Sequence, residues 1–477
     1  MSKFKLVIVI FFVLLASSVL ALWVWFKYFG LKDALVEKAG EKISQKLNLP
    51  AGNPMQEILG YTGPRTYLLL FLNNTELRPG GGFIGTYAVV RMDKAVPQVL
   101  KVEGTEILDN SSPNDFAAEP PEPLSKYLGI KRWEFRDSNW SPDFALSSAK
   151  ALELYKLERG EAADVIDAVI GITPTVIEEI LRLSGPVKAG GLEFTAENFT
   201  EKLEYEVEYG YAKKGISFDE RKRLLGELTR AFIDDLKTRV LLRWPKYLTL
   251  VEKLLREKQI VVFSPSPAVQ PVLALKKISG QMRQTSGDYL LWADANLAAL
   301  KTDASITREL SYSLAPDGKG SFIATAKMKF KHNGKFDWRT TRYRDYARIY
   351  VPAGSKIIAV SGAMPEGKKK TASADQGLEN GRQWFGAFIS VEPGGTGGLE
   401  FRYAVAPEIA GQIKTGAYDL LVQKQIGTVA PGLTLGLDFG KSVVFAAPGE
   451  PSAKHGDTRY DLVTDLREDR EIVVKFK

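Results

Sequence analysis

The sequence predicts an α/β domain, a mixed sheet with helices, followed by a C-terminal all-β immunoglobulin-like sandwich, the two preceded by one transmembrane helix. Three patterns predict this. Residues 6–26 form an almost unbroken apolar run, long enough to cross a bilayer as a helix. Between about 65 and 302, short apolar strands alternate with helical patterns, as βα units do. After Asp303 the apolar residues alternate with polar ones at a period of two, and turn residues recur at short spacing. The 477 residues thus divide into an anchor at 1–29, a juxtamembrane helix and linker at 30–64, the α/β domain at 65–302 and the sandwich at 303–477.

The anchor carries Lys3 and Lys5 before it and Lys27 after it, with Trp23, Trp25 and Tyr28 placed as an interface belt. A cleaved signal peptide is the competing reading, with Ala16, Ser18 and Ala21 as small residues near a cleavage site. Continuation of the apolar run through Leu22 to Phe26 favours a retained, single-pass anchor, with the bulk of the chain outside the cytoplasm. Leu31, Leu35, Ala39, Ile43 and Leu47 then make the stripe of a stalk helix.

Composition narrows the chemistry. A formal net charge of +7 leans toward anionic partners, yet falls far short of a nucleic-acid binder. With no cysteine, disulfides, thiol catalysis and cysteine-ligated metals are excluded. His332 and His455 are the only two histidines and lie far apart, which argues against histidine triads and multi-histidine metal sites. Chemistry must come from Arg, Lys, Asp, Glu, Asn, Ser or Tyr.

The chain is organised around YLLLFLNNTELRPGGGFIGTY, residues 67–87. A buried strand stops at Asn73, Asn74, Glu76 and Arg78, and Pro79 with Gly80, Gly81 and Gly82 turns it into a second strand at Phe83. Such a loop can present backbone N–H groups and a guanidinium to a ligand, or simply close a hairpin. Next comes FRDSNWSPDF at 135–144, where Ser141 and Pro142 fit a helix cap and first turn. An apolar run at 163–172 precedes a helical pattern at 176–183 ended by Gly185-Pro186, and a charged helix is expected at 218–243. The strand at 289–292 ends at Asp294 and Asn296, before Lys301 and Asp303, where open α/β sheets tend to bind ligands. In the sandwich region Arg308, Leu310, Tyr312 and Leu314 form one strand face, and Phe322, Ala324, Ala326, Met328 and Phe330 the next. Trp338, Arg339, Arg342, Tyr343, Arg344 and Tyr346 interleave aromatics with arginines, which suits a sugar or anionic polymer as well as a cross-strand ladder.

The blocks NNTELRPGGGFIGTY, FRDSNWSPDF, GITPTVIEEILRLSGPV, WADANLAALKTD and HNGKFDWRTTRYRDYARIYVP occur in an order that resembles the bacterial family known as domain of unknown function 4012, whose members are usually membrane-anchored envelope proteins. More distantly, the chain is similar to the LytR-CpsA-Psr enzymes, which move glycopolymers from polyprenyl-pyrophosphate carriers to the cell wall. That resemblance implies that Arg78 and Arg136 neutralise pyrophosphate charge and that Asp137 acts as base or metal ligand. Where those enzymes carry an arginine and a metal-binding aspartate after the glycines, this chain has Phe83 and Gly85, and their helical arginine cluster is echoed only by Asp219, Arg221 and Arg223.

Two guanidiniums with glycine N–H groups can chelate a pyrophosphate, although each arginine could equally pair with Glu76 or Asp137. Asp137, Asn139 and Asp143 could hold a divalent cation, or serve as caps and loop hydrogen bonds. The catalytic candidates are therefore Asp137 and Arg136. The ligand-binding candidates are Asn73, Asn74, Glu76, Arg78, Gly80, Gly81, Gly82, Asn139, Asp143, Asp294 and Asn296, with no residue assigned to a metal. The expected partners are the membrane and a polyprenyl-phosphate lipid or envelope glycan. The expected function is recognition, extending to transfer, of a polyprenyl-(pyro)phosphate-linked glycopolymer. The alternative is a non-catalytic surface binding or adhesion protein with a degenerate transferase-like domain, which Arg78 tied to Glu76 in a closed core would favour.

Overall fold

The computed structural model describes residues 57–477 apart from 95, 114–115, 211–230, 232–242, 244, 366–372 and 451–455. The apolar run at 6–26, the stalk at 31–47, almost all of the charged helix expected at 218–243, and with it Asp219, Arg221 and Arg223, lie outside the described residues.

β1 (Arg65–Asn73) is buried on both faces because its side chains alternate between two cores. Tyr67 and Leu69 point to one, Leu68, Leu70 and Leu72 to the other. It pairs antiparallel with β2 (Phe83–Asp93), which pairs with β3 (Val96–Gly104). Helices α1 (Thr105–Ser111), α2 (Glu122–Leu128) and α3 (Phe144–Leu157) follow. β4 (Ala168–Ile172) returns parallel to β1, and α4 (Thr175–Ser184) leads into a small hairpin of β5 (Val187–Ala189) and β6 (Leu192–Phe194). β7 (Ile260–Phe263) closes the edge, giving the order β3-β2-β1-β4-β7. Helix α3 covers one face through Phe144, Ala151 and Leu154, and α4 the other through Val176, Ile180 and Leu181.

The rest of the chain is β-rich. β8 (Asp288–Ala293), β9 (Ile306–Pro316), β10 (Phe322–His332), β11 (Tyr343–Pro352), β12 (Lys356–Ser361), β13 (Asp375–Glu379), β14 (Arg382–Val391) and β15 (Thr396–Ala404) come first. A helix over Pro407–Lys414 then crosses to β16 (Ala417–Gln423), β17 (Gly432–Asp438), β18 (Val443–Ala447), β19 (Arg459–Asp465) and β20 (Arg470–Phe476). They build a six-stranded sheet, β12-β15-β10-β9-β17-β19, and a seven-stranded one, β13-β14-β11-β8-β16-β20-β18. The two share one core, with Leu290, Tyr312, Phe330, Ile349, Phe401 and Leu435 among its members.

The expected fold class needs correction. The protein is mostly β-sheet, a mixed α/β layer joined to a β-rich C-terminal region. The strand over 288–293, expected in the α/β sheet, is β8 in the middle of the seven-stranded sheet, antiparallel to β11 and parallel to β16. All six of its residues are buried, so no alternation marks the sheet it joins. Among the described residues, thirteen strands with two parallel pairs, β8 with β16 and β9 with β17, also differ from the seven to nine antiparallel strands of an immunoglobulin sandwich. The transmembrane helix expected over residues 6–26 lies outside the described residues, and among the described residues no helix is long and apolar enough to cross a membrane.

Candidate functional site

β1 ends in a turn made by its own side chain. The Asn73 Oδ1 accepts from the Thr75 N–H at 3.2 Å and from the Thr75 hydroxyl at 2.7 Å. The Asn74 amide reaches across the sheet to the Thr175 hydroxyl at 3.0 Å and to the Gly427 carbonyl at 2.9 Å. The Leu77 N–H donates to Asp303 at 2.9 Å, and the Leu77 carbonyl accepts from the Asn296 N–H at 3.0 Å. This loop is stitched to the β-rich region before Arg78 is reached.

Arg78 is 3% exposed. Its Nη1 donates to the Asn296 carbonyl at 2.5 Å and its Nη2 to Glu76 at 3.4 Å, while Nε lies 3.5 Å from Asp137. The guanidinium also sits over the Phe83 ring, 5.2 Å from its centroid. Burial pushes the carboxyls of Glu76 and Asp137 up, and Arg78 pulls each back down, so the three groups depend on one another.

The glycine turn is used for close packing. The Gly80 N–H goes to the Asn139 carbonyl at 3.0 Å and the Gly81 N–H to the Arg78 carbonyl at 2.9 Å, while the Asn139 amide holds the Gly82 carbonyl at 2.6 Å. Gly81 takes φ +123°, and a Cβ there would stand 2.8 Å from both Ile426 and Leu72. Ile426 belongs to a loop from the β-rich region, residues 424–428, that enters the end of the five-stranded sheet and joins its core. Gly427 lies against the Gly81 carbonyl, and the Gln425 amide bonds the carbonyls of Arg78 at 3.1 Å and Asp294 at 2.9 Å.

Arg136 turns elsewhere. Its Nε lies 2.6 Å from Asp109, and its Nη2 donates to Glu134 at 2.5 Å. Burial lowers its pKa, but Asp109 and Glu134 outweigh that and the net shift is upward. Arg78 and Arg136 thus flank Asp137 from separate carboxylate clusters rather than converging on an open space. Asp109 is pushed up by burial and by Glu158 despite the nearby arginine, so the Asp109–Glu158 pair keeps one proton near neutral pH.

Asp143 caps α3, accepting from the N–H groups of Ala145 at 2.9 Å and Leu146 at 3.2 Å. The cap is therefore Asp143, two residues beyond the expected Ser141. Its other oxygen accepts from the Met282 N–H at 3.0 Å and the Asn380 amide at 2.7 Å. With Asp143 saturated by four N–H donors and Asp137 facing Arg78, the trio of Asp137, Asn139 and Asp143 does not fit a cation's oxygen shell. Among the described residues no group of three His, Cys, Asp or Glu could hold a metal ion.

Asp294 and Asn296 open onto a buried cluster. Asp294 receives Arg308 Nε at 2.7 Å and the Trp292 indole at 2.7 Å, and the Asn296 amide donates to Asp303 at 2.7 Å. Arg308 also binds Asp303 and donates to the Tyr343 hydroxyl at 2.8 Å. Asp345 is pushed far up by burial and by Asp294, with Arg308 pulling it back down. Neither Arg308 nor Asp345 is among the candidate site residues expected from the sequence, although Arg308 falls on the apolar face of its strand. An arginine at an inward position signals a buried carboxylate partner.

The loop at 424–428 rests on a second buried pair. Lys258 Nζ donates to Asp469 at 2.6 Å and to the Lys424 carbonyl at 3.1 Å, and Lys424 Nζ donates to the carbonyls of Gln425 at 3.2 Å and Thr428 at 2.5 Å. Burial and the adjacent Lys258 push Lys424 down to about 7. An unfolded lysine titrates near ~10.4, so between pH 7 and 10 the unfolded chain binds more protons and stability rises with pH. Urea unfolding should show the wild type gaining up to about 1.4 kcal/mol per pH unit over Lys424→Met across that window. Equal slopes would show that Lys424 stays charged in the fold.

Away from these clusters, a cleft of about 390 Å³ opens between α2 and the seven-stranded sheet. Lys126, Tyr127, Arg342, Arg344, Phe388 and Ser390 are in its wall.

Residues 62–208 match the family described as "Protein of unknown function (DUF4012)", a match spanning less than half of the chain. No curated protein matches the sequence. Among solved structures, the chain is similar to a candidate nutrient-binding protein of Legionella pneumophila, with 10% identity, a TM-score of 0.26, and coverage of 40% of this chain and 71% of that one. It is also similar to an M1 zinc metallopeptidase of Deinococcus radiodurans, with 11% identity, a TM-score of 0.18, and coverage of 36% of this chain and 42% of the peptidase. At these scores neither similarity carries an argument about activity.

Proposed function

We propose that this chain is a non-catalytic binding protein of the bacterial cell envelope, held at the membrane through residues 6–26, which recognises an envelope glycan outside the cytoplasm. The observation that carries the reading is the state of Arg78: buried, and committed to the Asn296 carbonyl, Glu76 and Asp137. Electrostatic catalysis of transfer requires preorganised charge aimed at the reacting group. Here the guanidinium and the N–H groups of Gly80 and Gly81 are aimed inward, which favours recognition without transfer.

The polyprenyl-pyrophosphate-linked glycan implied by the resemblance to LytR-CpsA-Psr enzymes is the probe to use. The full chain in liposomes, given such a glycan, should bind it saturably and release no polyprenyl phosphate, and Asp137→Asn should leave both results unchanged. Release of polyprenyl phosphate that falls with Asp137→Asn or Arg136→Ala would overturn the reading in favour of transfer.

A further inference from the structure

On β11 the core takes Tyr343, Ala347 and Ile349 on alternate residues, so Arg344, Tyr346 and Arg348 share the opposite face of the sheet, with Arg342 just before them. Across the antiparallel pair, Arg344 stands opposite Ser390, Tyr346 opposite Phe388 and Arg348 opposite Gly386. The three arginines differ in what neutralises them. Arg342 pairs with Glu392, and Arg348 with Glu379 at 3.4 Å and the Trp140 carbonyl at 2.5 Å. Arg344 faces a serine, and among the described residues it forms no ion pair with a carboxylate.

Arg344 also has an aromatic neighbour. Its guanidinium lies 5.7 Å from the centroid of Phe388, and Phe388 stacks on Tyr127 with centroids 4.2 Å apart and planes 11° from parallel. A guanidinium carries its N–H donors in one plane, and a carboxylate or phosphate can be gripped by two of them. The Lys126 ammonium stands over Tyr127, 5.2 Å from its centroid. Arg344 and Ser390 stand together in the wall of the cleft with aromatic surface beside them, while Arg342, also in the wall, is paired with Glu392. Its volume of about 390 Å³ is that of a small-ligand site.

We infer that this cleft is a binding site for an acidic saccharide: a pyranose bearing a carboxylate or phosphate, its anion held by Arg344 with Ser390, and its ring beside the edges of Tyr127 and Phe388. The inference rests on the envelope-glycan reading and gives that glycan a charge and a place. No bond is made or broken in the step.

The test is calorimetric titration of the full chain with oligogalacturonate, glucose 1-phosphate and a neutral maltooligosaccharide. Binding of at least one of the two anionic probes is expected, with no detectable binding of the neutral sugar. Arg344→Gln should weaken it by about tenfold or more, as expected for a lost charge-assisted pair. Ser390→Asp, which sets a carboxylate opposite Arg344, should weaken it similarly without moving the melting temperature. Which anionic probe binds distinguishes carboxylate from phosphate recognition. Anionic binding indifferent to both substitutions would overturn the cleft while leaving glycan recognition standing. Binding of the neutral sugar alone would overturn the acidic-saccharide inference, again without touching glycan recognition. No binding of any probe by the wild type would overturn the inference; the lipid-linked glycan assay above would then decide the broader reading separately.

Discussion

Arg78→Ala should destabilise the protein by about 3–5 kcal/mol, the range for removing one partner of a buried ionic cluster. The loss has an identifiable source. The substitution strips the guanidinium from Asp137 and Glu76, whose carboxyls burial already pushes up, and leaves the Asn296 carbonyl without its donor. Both carboxyls would then take up protons more readily in the fold than in the unfolded chain. The sign follows: a raised carboxyl contributes stability below its unfolded value near ~4 and loses it as pH rises. The gap in melting temperature between wild type and Arg78→Ala should therefore be wider at pH 8 than at pH 5. Adding Asp137→Asn should recover part of the loss, because it removes the stranded charge. A ligand cradle predicts otherwise: Arg78→Ala would melt like the wild type at both pH values and fail only in binding.

Gly427→Ala should cost about 3 kcal/mol or more. Gly427 has φ +81°, where an L side chain is strained by about 1 kcal/mol, and its Cβ would stand 2.0 Å from the Gly81 carbonyl. That neighbour is backbone, itself pinned by Leu72 and Ile426, so the relief available is withdrawal of the loop at 424–428. Withdrawal exposes Ile426, now 2% exposed, and breaks the bonds of Gln425 to Arg78 and Asp294. Gly318→Ala is the internal control. It has a similar φ of +72° with nothing within 4 Å of its Cβ, so chemical denaturation should register only the backbone term, about 1 kcal/mol. Equal losses at the two positions would mean that contact between the loops contributes nothing.

Part of this architecture was legible in the residues. The hairpin of β1 and β2 follows from the apolar run at 67–72 and the glycines after Pro79, and the inward face of β10 is the expected set from Phe322 to Phe330. Local periodicity reports a strand and its buried face, but not the sheet that receives it. That is why β8 was placed with the α/β strands, when its partners are β11 and β16, the latter more than a hundred residues away. The site residues divide in the same way. Arg78, Asp137, Asn139, Asp294 and Asn296 do gather at one junction, through contacts among residues far apart in sequence. What single residues could not convey is direction: the N–H groups and the guanidinium that could face a ligand are met instead by carbonyls and carboxylates of the protein itself, and a loop from 424–428, whose sequence, KQIGT, has no distinguishing motif, packs over the glycine turn. Arg344 shows the converse. It was one member of an aromatic and basic stretch until strand register set Ser390, rather than an acid, opposite it.

The Arg78 loop binds the protein to itself. Native-state hydrogen exchange followed at the amides of Leu77, Gly80, Gly81 and Asn296 tests it most directly, because each of these N–H groups has a named internal acceptor. All four should exchange only with global unfolding, and polyprenyl pyrophosphate should leave their rates unchanged. Fast exchange in the free protein, slowed when the lipid pyrophosphate is added, would contradict it and return the loop to the role of a ligand cradle.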